Sequence, residues 1–244
     1  SVRYGGYLIW HLYPDVVPYI DGRLVLREPE QFAELLRVVD EPQQFDAFRD
    51  RYGFNYAVLP TAYPDRYRRL AAHLVRHPDW SLVATDGTEA LFAFRGAGNL
   101  PVVELGDTAV SDRIVGELER RYATQSRVLR AAKHNLAAFL AAVGFATEAR
   151  RILTALDDST SRSLVARCYY LEGDLHLAES VAHDVLIDDE DDVPSLNLLA
   201  RVAIDRGQPR EALAFLRRVL DIDPYNERGS AMLRSLERQA GVGP

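Results

Sequence analysis

The sequence contains little cysteine, little lysine and no long apolar segment, and each shortage narrows what the protein can be. Its 244 residues include one cysteine, Cys168, so no internal disulfide can form. The 29 basic residues include a single lysine, Lys133, and 36 acidic residues bring the formal net charge to −7. This balance argues against general nucleic-acid binding, which usually needs a basic face, but it does not exclude a local basic patch. We therefore expect no nucleic-acid partner, and the arginine bias indicates a GC-rich coding sequence.

The sequence also lacks a membrane-spanning run and a set of residues with recognisable chemistry. No apolar run approaches the length of a membrane span, and no signal peptide is evident at the start. His73 and His77 share a helix face, but no third metal ligand is placed near them. The acidic run 188–192 lacks the glycine and spacing of a calcium loop and suits a solvated turn. Cys168 lies in an apolar helical stretch, which favours a buried thiol over a nucleophile. We expect no metal, no cofactor and no catalytic residue in this chain.

The first part of the chain alternates short β-prone runs with helical ones, which predicts a small α/β mixed-sheet domain over residues 1–106. Tyr56 to Leu59 is a strand candidate, as is Tyr7 to Trp10. Ser81 to Phe94 predicts a hairpin, because Asp86-Gly87 between two β-prone runs favours a type I′ turn. Val102 to Leu105 is a candidate edge strand after a glycine-rich linker.

Two segments near the end of the chain resemble each other at a constant offset, and that offset is typical of repeated helix pairs. The matching residues are small or apolar and fall at the same places in both segments. They are Gly173 and Gly207, Ala166 and Ala200, Ala178 and Ala212, Val185 and Val219, and Leu186 and Leu220. An earlier copy contains Gly144 and is shorter, since Gly144 lies nearer to Gly173 than Gly173 does to Gly207. Three copies and a closing helix from Arg228 to Ala240 are enough for a stable stack.

This pattern resembles the tetratricopeptide (TPR) repeat family over roughly residues 126–240, and the last copy matches best. The resemblance implies an all-α TPR solenoid over residues 107–244 that binds a protein or peptide. The helices of the last copy are expected to begin at Val193, to turn at Gly207 and to end before Asp223-Pro224. The middle copy is expected to begin near Ser159.

The resemblance also implies a binding groove, because TPR arrays bind along the concave face formed by the first helix of each repeat. The residues carried over to that face are His134, Ser163, Arg167, Tyr170, Asn197, Arg201 and Asp205. Arg167 and Arg201 occupy the same position in adjacent repeats, so both guanidinium groups would line one groove and suit an acidic peptide. The alternative is that each arginine pairs with a nearby acid of the chain, such as Asp205 or Glu172.

A second resemblance covers residues 4–95. The segment from Tyr4 to Pro14 has the sequence YGGYLIWHLYP, and Ile20-Asp21-Gly22-Arg23 follows it. These segments resemble the soluble extracytoplasmic tail that follows the last membrane helix in GT-C-type polytopic bacterial glycosyltransferase-like proteins. The resemblance implies that a membrane part lies upstream and carries the catalytic acids, so that this chain would meet a membrane only through that missing segment.

Asp21 and Arg23 are the candidate small-ligand residues of the first part. An acid and a base that flank a glycine would suit a sugar or nucleotide, which makes an enzyme the alternative to a binding module. A strand-end turn, in which Asp21 caps backbone amides, explains the same residues. A stand-alone cytoplasmic TPR scaffold is a third possibility. On balance the sequence predicts a non-catalytic binding module on the extracytoplasmic face of a bacterial membrane.

Overall fold

The computed structural model describes residues 10–12, 14–15, 17–18, 29–62, 64–156 and 158–239. Packing divides the chain into two compact units, with the division between Phe145 and Ala146. The domain boundary predicted after residue 106 lies inside the first unit. This difference arises because the helices between residues 108 and 143 pack with elements of the first unit, whereas the prediction grouped them with the repeats by sequence pattern.

The described strands of the first unit form a three-stranded sheet in the order β1-β3-β2. Strand β1 is Tyr56–Pro60, β2 is Trp80–Thr85 and β3 is Glu89–Phe94. Both pairs are antiparallel, so the predicted mixed sheet is wrong for the strands that the structure describes. Strands β1 and β2 are joined through a helix and point in the same direction. They do not pair with each other, because the hairpin strand β3 lies between them. Trp10 to Leu12 are helical rather than extended, and the rest of that predicted strand lies outside the described residues.

The hairpin between β2 and β3 is confirmed, but its turn lies one residue later than predicted. The backbone N–H of Asp86 donates to the carbonyl of Glu89 at 3.3 Å, so Gly87 and Thr88 are the central residues. Gly87 has a φ of 76°, which glycine adopts without strain. The Asp86 carboxylate accepts hydrogen bonds from the N–H groups of Thr88 and Glu89 and thereby holds the turn. The predicted edge strand at 102–105 is not a strand; Val103 donates one hydrogen bond to Leu82.

Helices cover this sheet and extend the first unit. They are α1 Pro29–Asp40, α2 Phe45–Tyr52, α3 Pro64–Arg76, α4 Thr108–Arg121 and α5 Ser126–Val143. Helix α3 packs against β1, β2, α1 and α5, so it is the central element of the unit. Leu74 on α3 and Phe92 on β3 have no exposed surface. Trp80 packs edge-on against Phe45 with ring centroids 5.3 Å apart, which closes one end of the core.

The second unit consists of helices that pack in sequence order. They are α6 Ala146–Thr154, α7 Ser159–Glu172, α8 Leu175–Asp188, α9 Val193–Asp205, α10 Pro209–Ile222 and α11 Glu227–Gln239. Helices α7 and α8 form one hairpin, α9 and α10 form the next, and α7 also contacts α9. The starts predicted at Ser159 and Val193 are confirmed. So is the closing helix, whose Met232 and Leu236 share a core with Ala212 and Leu216.

Among the residues that the structure describes, no helix combines the length and apolarity needed to cross a membrane.

Candidate peptide-binding surface

The turns that join the two helices of a pair contain the same hydrogen bonds in both repeats. The N–H of Asp174 donates to Tyr169 O at 3.0 Å, and the N–H of Gln208 donates to Ala203 O at 2.8 Å. These bonds lie one repeat apart and close the ends of α7 and α9 around Gly173 (φ 87°) and Gly207 (φ 71°). This is the Schellman arrangement, which needs a left-handed residue and therefore favours glycine. The predicted role of both glycines is confirmed.

The starts of the first helices repeat in the same way, through caps that the sequence analysis missed. A side-chain oxygen in each cap accepts a hydrogen bond from the backbone N–H three residues later. The pairs are Asp158 with Ser161 at 2.9 Å, Asp192 with Ser195 at 2.8 Å, and Asn226 with Gly229 at 2.8 Å. The caps themselves recur with the same offset as the glycines. Aspartate or asparagine three residues before serine or glycine is a helix-start signal, so the repeat spacing could have revealed them.

Two of the predicted groove residues instead connect one repeat to the next. Ser163 is 5% exposed, and its hydroxyl donates to Asp192 Oδ1 at 2.9 Å. Asn197 is 6% exposed, and its Nδ2 donates to Asn226 Oδ1 at 3.4 Å. Equivalent residues of successive first helices thus reach the cap of the following first helix. Ser163 and Asn197 stabilise this packing and leave almost no surface for a partner.

Three other predicted groove residues meet on the exposed side of α7 and α9. The Tyr170 hydroxyl donates to Asp205 Oδ2 at 2.6 Å, and Arg201 Nε donates to the Tyr170 oxygen at 3.1 Å. Arg201 Nε also lies 3.4 Å from Asp205 Oδ1. The structure therefore brings Tyr170, Arg201 and Asp205 together, and we call these three residues the polar cluster. The pairing of Arg201 with Asp205 is the intramolecular alternative weighed from the sequence.

The polar cluster holds a neutral tyrosine beside a charged pair. Partial burial raises the pKa of Tyr170, and the hydrogen bond to Asp205 raises that pKa further, while Arg201 opposes the shift. The hydrogen bond with Tyr170 raises the pKa of Arg201. At neutral pH Tyr170 is thus a donor, and Arg201 keeps its charge. The Arg201 side chain is 51% exposed, so a ligand carboxylate can reach it from solvent.

The two remaining groove predictions have different surroundings. Arg167 is half-buried on α7, one turn before Tyr170, and so belongs to the same helix face. The acid proposed as its partner, Glu172, is held by Arg150, whose Nε donates to Glu172 Oε2 at 3.1 Å. His134 lies on α5 in the first unit, apart from the other predicted residues along the chain. Asp21 and Arg23 lie outside the described residues.

The acidic run at 188–192 supplies the turn between α8 and α9. Asp189 O accepts from the N–H of Asp192, and its carboxylate accepts from the N–H of Asp191. Asp223 forms the same two kinds of bond with Asn226 and Tyr225 one repeat later. These matching contacts support the interpretation of the run as an inter-repeat turn.

Cys168 has no exposed surface, and burial raises the pKa of its thiol to about 12. A thiol with so high a pKa stays protonated at neutral pH, and a protonated thiol is a poor nucleophile. The expectation of a structural cysteine is therefore supported by its surroundings.

A tetratricopeptide repeat family model matches residues 169–236, a stretch that holds both hairpin turns, all of α8 to α10 and the whole polar cluster. This match supports the TPR resemblance in the C-terminal half of the chain. No curated protein matches the sequence at a significant level.

Proposed function

We propose that this chain is a non-catalytic binding module whose helix pairs stack as a TPR solenoid and hold an acidic peptide against α7 and α9. TPR repeats generally mediate protein–protein interaction, and the match covers the end of α7, which carries Tyr170, and all of α9. The observation that carries the proposal is the polar cluster. It places a half-exposed guanidinium and a tyrosine hydroxyl on adjacent first helices, within the matched region.

Arg201 is the main contact of this proposed site. Its guanidinium can bind a ligand carboxylate through two parallel hydrogen bonds, which a lysine would not do as well. Arg167 occupies the same position one repeat earlier, so successive acidic side chains of an extended peptide would meet successive arginines. Asp205 competes for the same guanidinium, since it already lies 3.4 Å from Arg201 Nε. Binding then requires exchange of the internal carboxylate for that of the ligand.

The test is a binding titration of the full chain with an acidic peptide library, followed by variants. Arg201→Ala and Arg167→Ala should each weaken binding by about tenfold, which corresponds to about 1.4 kcal/mol for a hydrogen bond to a charged group. Asp205→Asn should tighten binding, because it removes the internal competitor. Added salt should weaken binding, since exposed charges are screened. Arg217→Ala is the matched control, because Arg217 is an exposed arginine on the second helix α10.

An equal loss of peptide affinity in Arg201→Ala and Arg217→Ala would contradict the proposed site. Weaker binding by Asp205→Asn would contradict the proposed competition between Asp205 and the ligand. Turnover of a sugar donor, nucleotide or ester by the purified chain, abolished by Asp21→Asn, would favour the enzyme instead.

The cellular setting of this proposal is the extracytoplasmic tail of a bacterial membrane glycosyltransferase-like protein. The segments in residues 4–95 that resemble such tails support it. Antibodies against the repeats should find the native protein in the membrane fraction, and external protease should digest the repeats in intact spheroplasts. Recovery of the protein in the soluble fraction, or its protection from external protease, would contradict this setting. Neither result would bear on the peptide site, which the binding titration tests separately.

A further inference from the structure

An open depression of about 790 Å³ in the first unit lies between the end of α1 and one face of α3. The ionisable side chains that line it are Asp40, Glu41, Arg68, Arg69, His73, Arg76 and His77. Ala72 and Ala142, the latter on α5, also line it and leave room because their side chains are small. None of these residues belongs to the second unit or to the polar cluster.

The basic side chains follow one face of α3. Arg69, His73 and Arg76 are spaced by four and three residues, so they lie one above the other on the helix surface. From Arg69 to Arg76 the helix rises about 10 Å. The Arg76 Nη2 atom reaches towards α5, where it lies 3.4 Å from the point that a Cβ on Gly144 would occupy. The positive charge is therefore spread along the depression rather than held at one point.

Two acids line the depression, Asp40 and Glu41, and neither pairs with Arg68 or Arg76; the Glu41 carboxylate accepts a hydrogen bond from the Gln44 side chain. Asp40 pairs with Arg66 at 2.7 Å, and Arg69 donates to the backbone carbonyl of Asp40 at 3.2 Å. Within the part of the chain that the structure describes, neither Arg68 nor Arg76 forms an ion pair or a side-chain hydrogen bond. Two solvent-facing guanidinium groups without an acid partner thus line a concave surface of a protein whose net charge is −7.

His73 adds a polar group with no partner among the described residues. Its Nε2 atom is buried and makes no hydrogen bond with any of them. Buried polar atoms are nearly always paired, so an unpaired one at the wall of a depression calls for an explanation. His77 lies beside it, with ring centroids 5.4 Å apart, and is held by Asp46 at 3.0 Å. His73 therefore adds to the lining a ring nitrogen whose hydrogen-bonding capacity no described residue uses.

We infer that this depression binds a soluble phosphate or diphosphate ester, with Arg68, Arg69 and Arg76 on the phosphate oxygens and His73 as an additional hydrogen-bond partner. Guanidinium groups match phosphate geometry through paired N–H donors. The spread of about 10 Å along α3 suits two linked phosphates better than a single carboxylate. This site is independent of the proposed peptide surface, which lies on other helices.

The experiment measures thermal stabilisation of the full chain by inorganic pyrophosphate at low salt, with isothermal titration for affinity. Arg68→Gln and Arg76→Gln should each weaken binding by about tenfold, because each removes a charge-assisted hydrogen bond. Arg113→Gln is the matched control, since Arg113 is an exposed arginine on α4 of the same unit. Each of these substitutions is at an exposed position, so unchanged melting without ligand will show that the variants fold.

Three outcomes would overturn the inference. They are no stabilisation by pyrophosphate, equal stabilisation by sulfate at the same ionic strength, and an equal loss in Arg113→Gln. Sedimentation of the protein with phosphatidylcholine vesicles that contain phosphatidic acid tests whether the site binds a lipid phosphate instead of a soluble one. Binding to those vesicles without any response to pyrophosphate would overturn the assignment to a soluble ester.

Discussion

Alanines without exposed surface set how closely the repeat helices approach one another. Ala166 and Ala200 lie on α7 and α9, while Ala178 and Ala212 occupy matching positions on α8 and α10. Ala178 packs with Leu199 and Val202, and Ala212 packs with Leu216 and Met232. A larger side chain at these positions would separate the helices, because interiors are packed to near crystal density.

Replacing Ala212 with leucine should destabilise the second unit by about 1–3 kcal/mol through overpacking. Ala214→Leu is the control, because Ala214 lies on the same helix with an exposed side chain. Urea unfolding followed by circular dichroism would compare the two variants. Equal stability of Ala212→Leu and the parent chain would mean that the helix pairs do not cross at this alanine.

Cys168 should resist alkylation in the folded protein. Its thiol has no exposed surface, and burial raises its pKa to about 12, so little thiolate exists at about pH 8. Iodoacetamide labelling measured by mass spectrometry should therefore fail in buffer and succeed in denaturing urea. Rapid labelling of the native chain would show that α7 opens readily, which would argue against a tightly packed repeat.

At the scale of an element, α7 and α9 are each held at both ends by contacts that recur every repeat. A side-chain cap begins α7, α9 and α11, and a Schellman turn ends α7 and α9. Asp192 does more than a usual cap, since Oδ1 accepts from both the Ser195 N–H and the Ser163 hydroxyl. The same carboxylate therefore fixes the start of one helix and its contact with the previous repeat.

Asp192→Ala should reduce the free energy of unfolding by about 1–2 kcal/mol, the usual effect of losing a helix cap. The neighbouring Asp191→Ala is the matched control, because that side chain is exposed and lies 3.7 Å from Arg218 in a weak surface pair. Chemical denaturation of both variants would test this. Similar losses of stability in the two variants would mean that negative charge in the turn, rather than the hydrogen bonds of the cap, stabilises it.

At the scale of the whole molecule, the chain holds two compact units, and the second has hydrophobic cores of its own. One core joins α7, α8 and α9 through Ala166, Ala182 and Leu198, and the other joins α9, α10 and α11 through Ala200, Leu216 and Leu236. Both of these cores lie within residues 146–244.

A fragment of residues 146–244 should fold by itself and unfold cooperatively, because both cores lie within it. The fragment 107–244 follows the boundary predicted from sequence and includes α4 and α5, which pack in the first unit. Its extra helices should therefore expose apolar surface and promote association. Circular dichroism melts and analytical ultracentrifugation would compare the two. A monomeric, more stable 107–244 fragment together with an unfolded 146–244 fragment would favour the earlier boundary.

Local patterns in the sequence predicted much of the second unit and some of the first. The starts at Ser159 and Val193 and the turns at Gly173 and Gly207 follow from periodicity and from glycine's tolerance of positive φ, which act over a few residues. The groove was predicted only in part. Tyr170, Arg201 and Asp205 do meet, but Ser163 and Asn197 are buried, since exposure depends on where the next repeat packs.

The sequence by itself determined which segments become helices, hairpin and repeats, because caps, glycines and apolar spacing act between neighbours along the chain. Tertiary structure alone decided that β3 lies between β1 and β2, that Tyr170 of α7 meets Arg201 and Asp205 of α9, and that the basic face of α3 borders a depression. Each of these depends on residues that are distant in sequence and become neighbours only when the elements pack, so no local pattern encodes them.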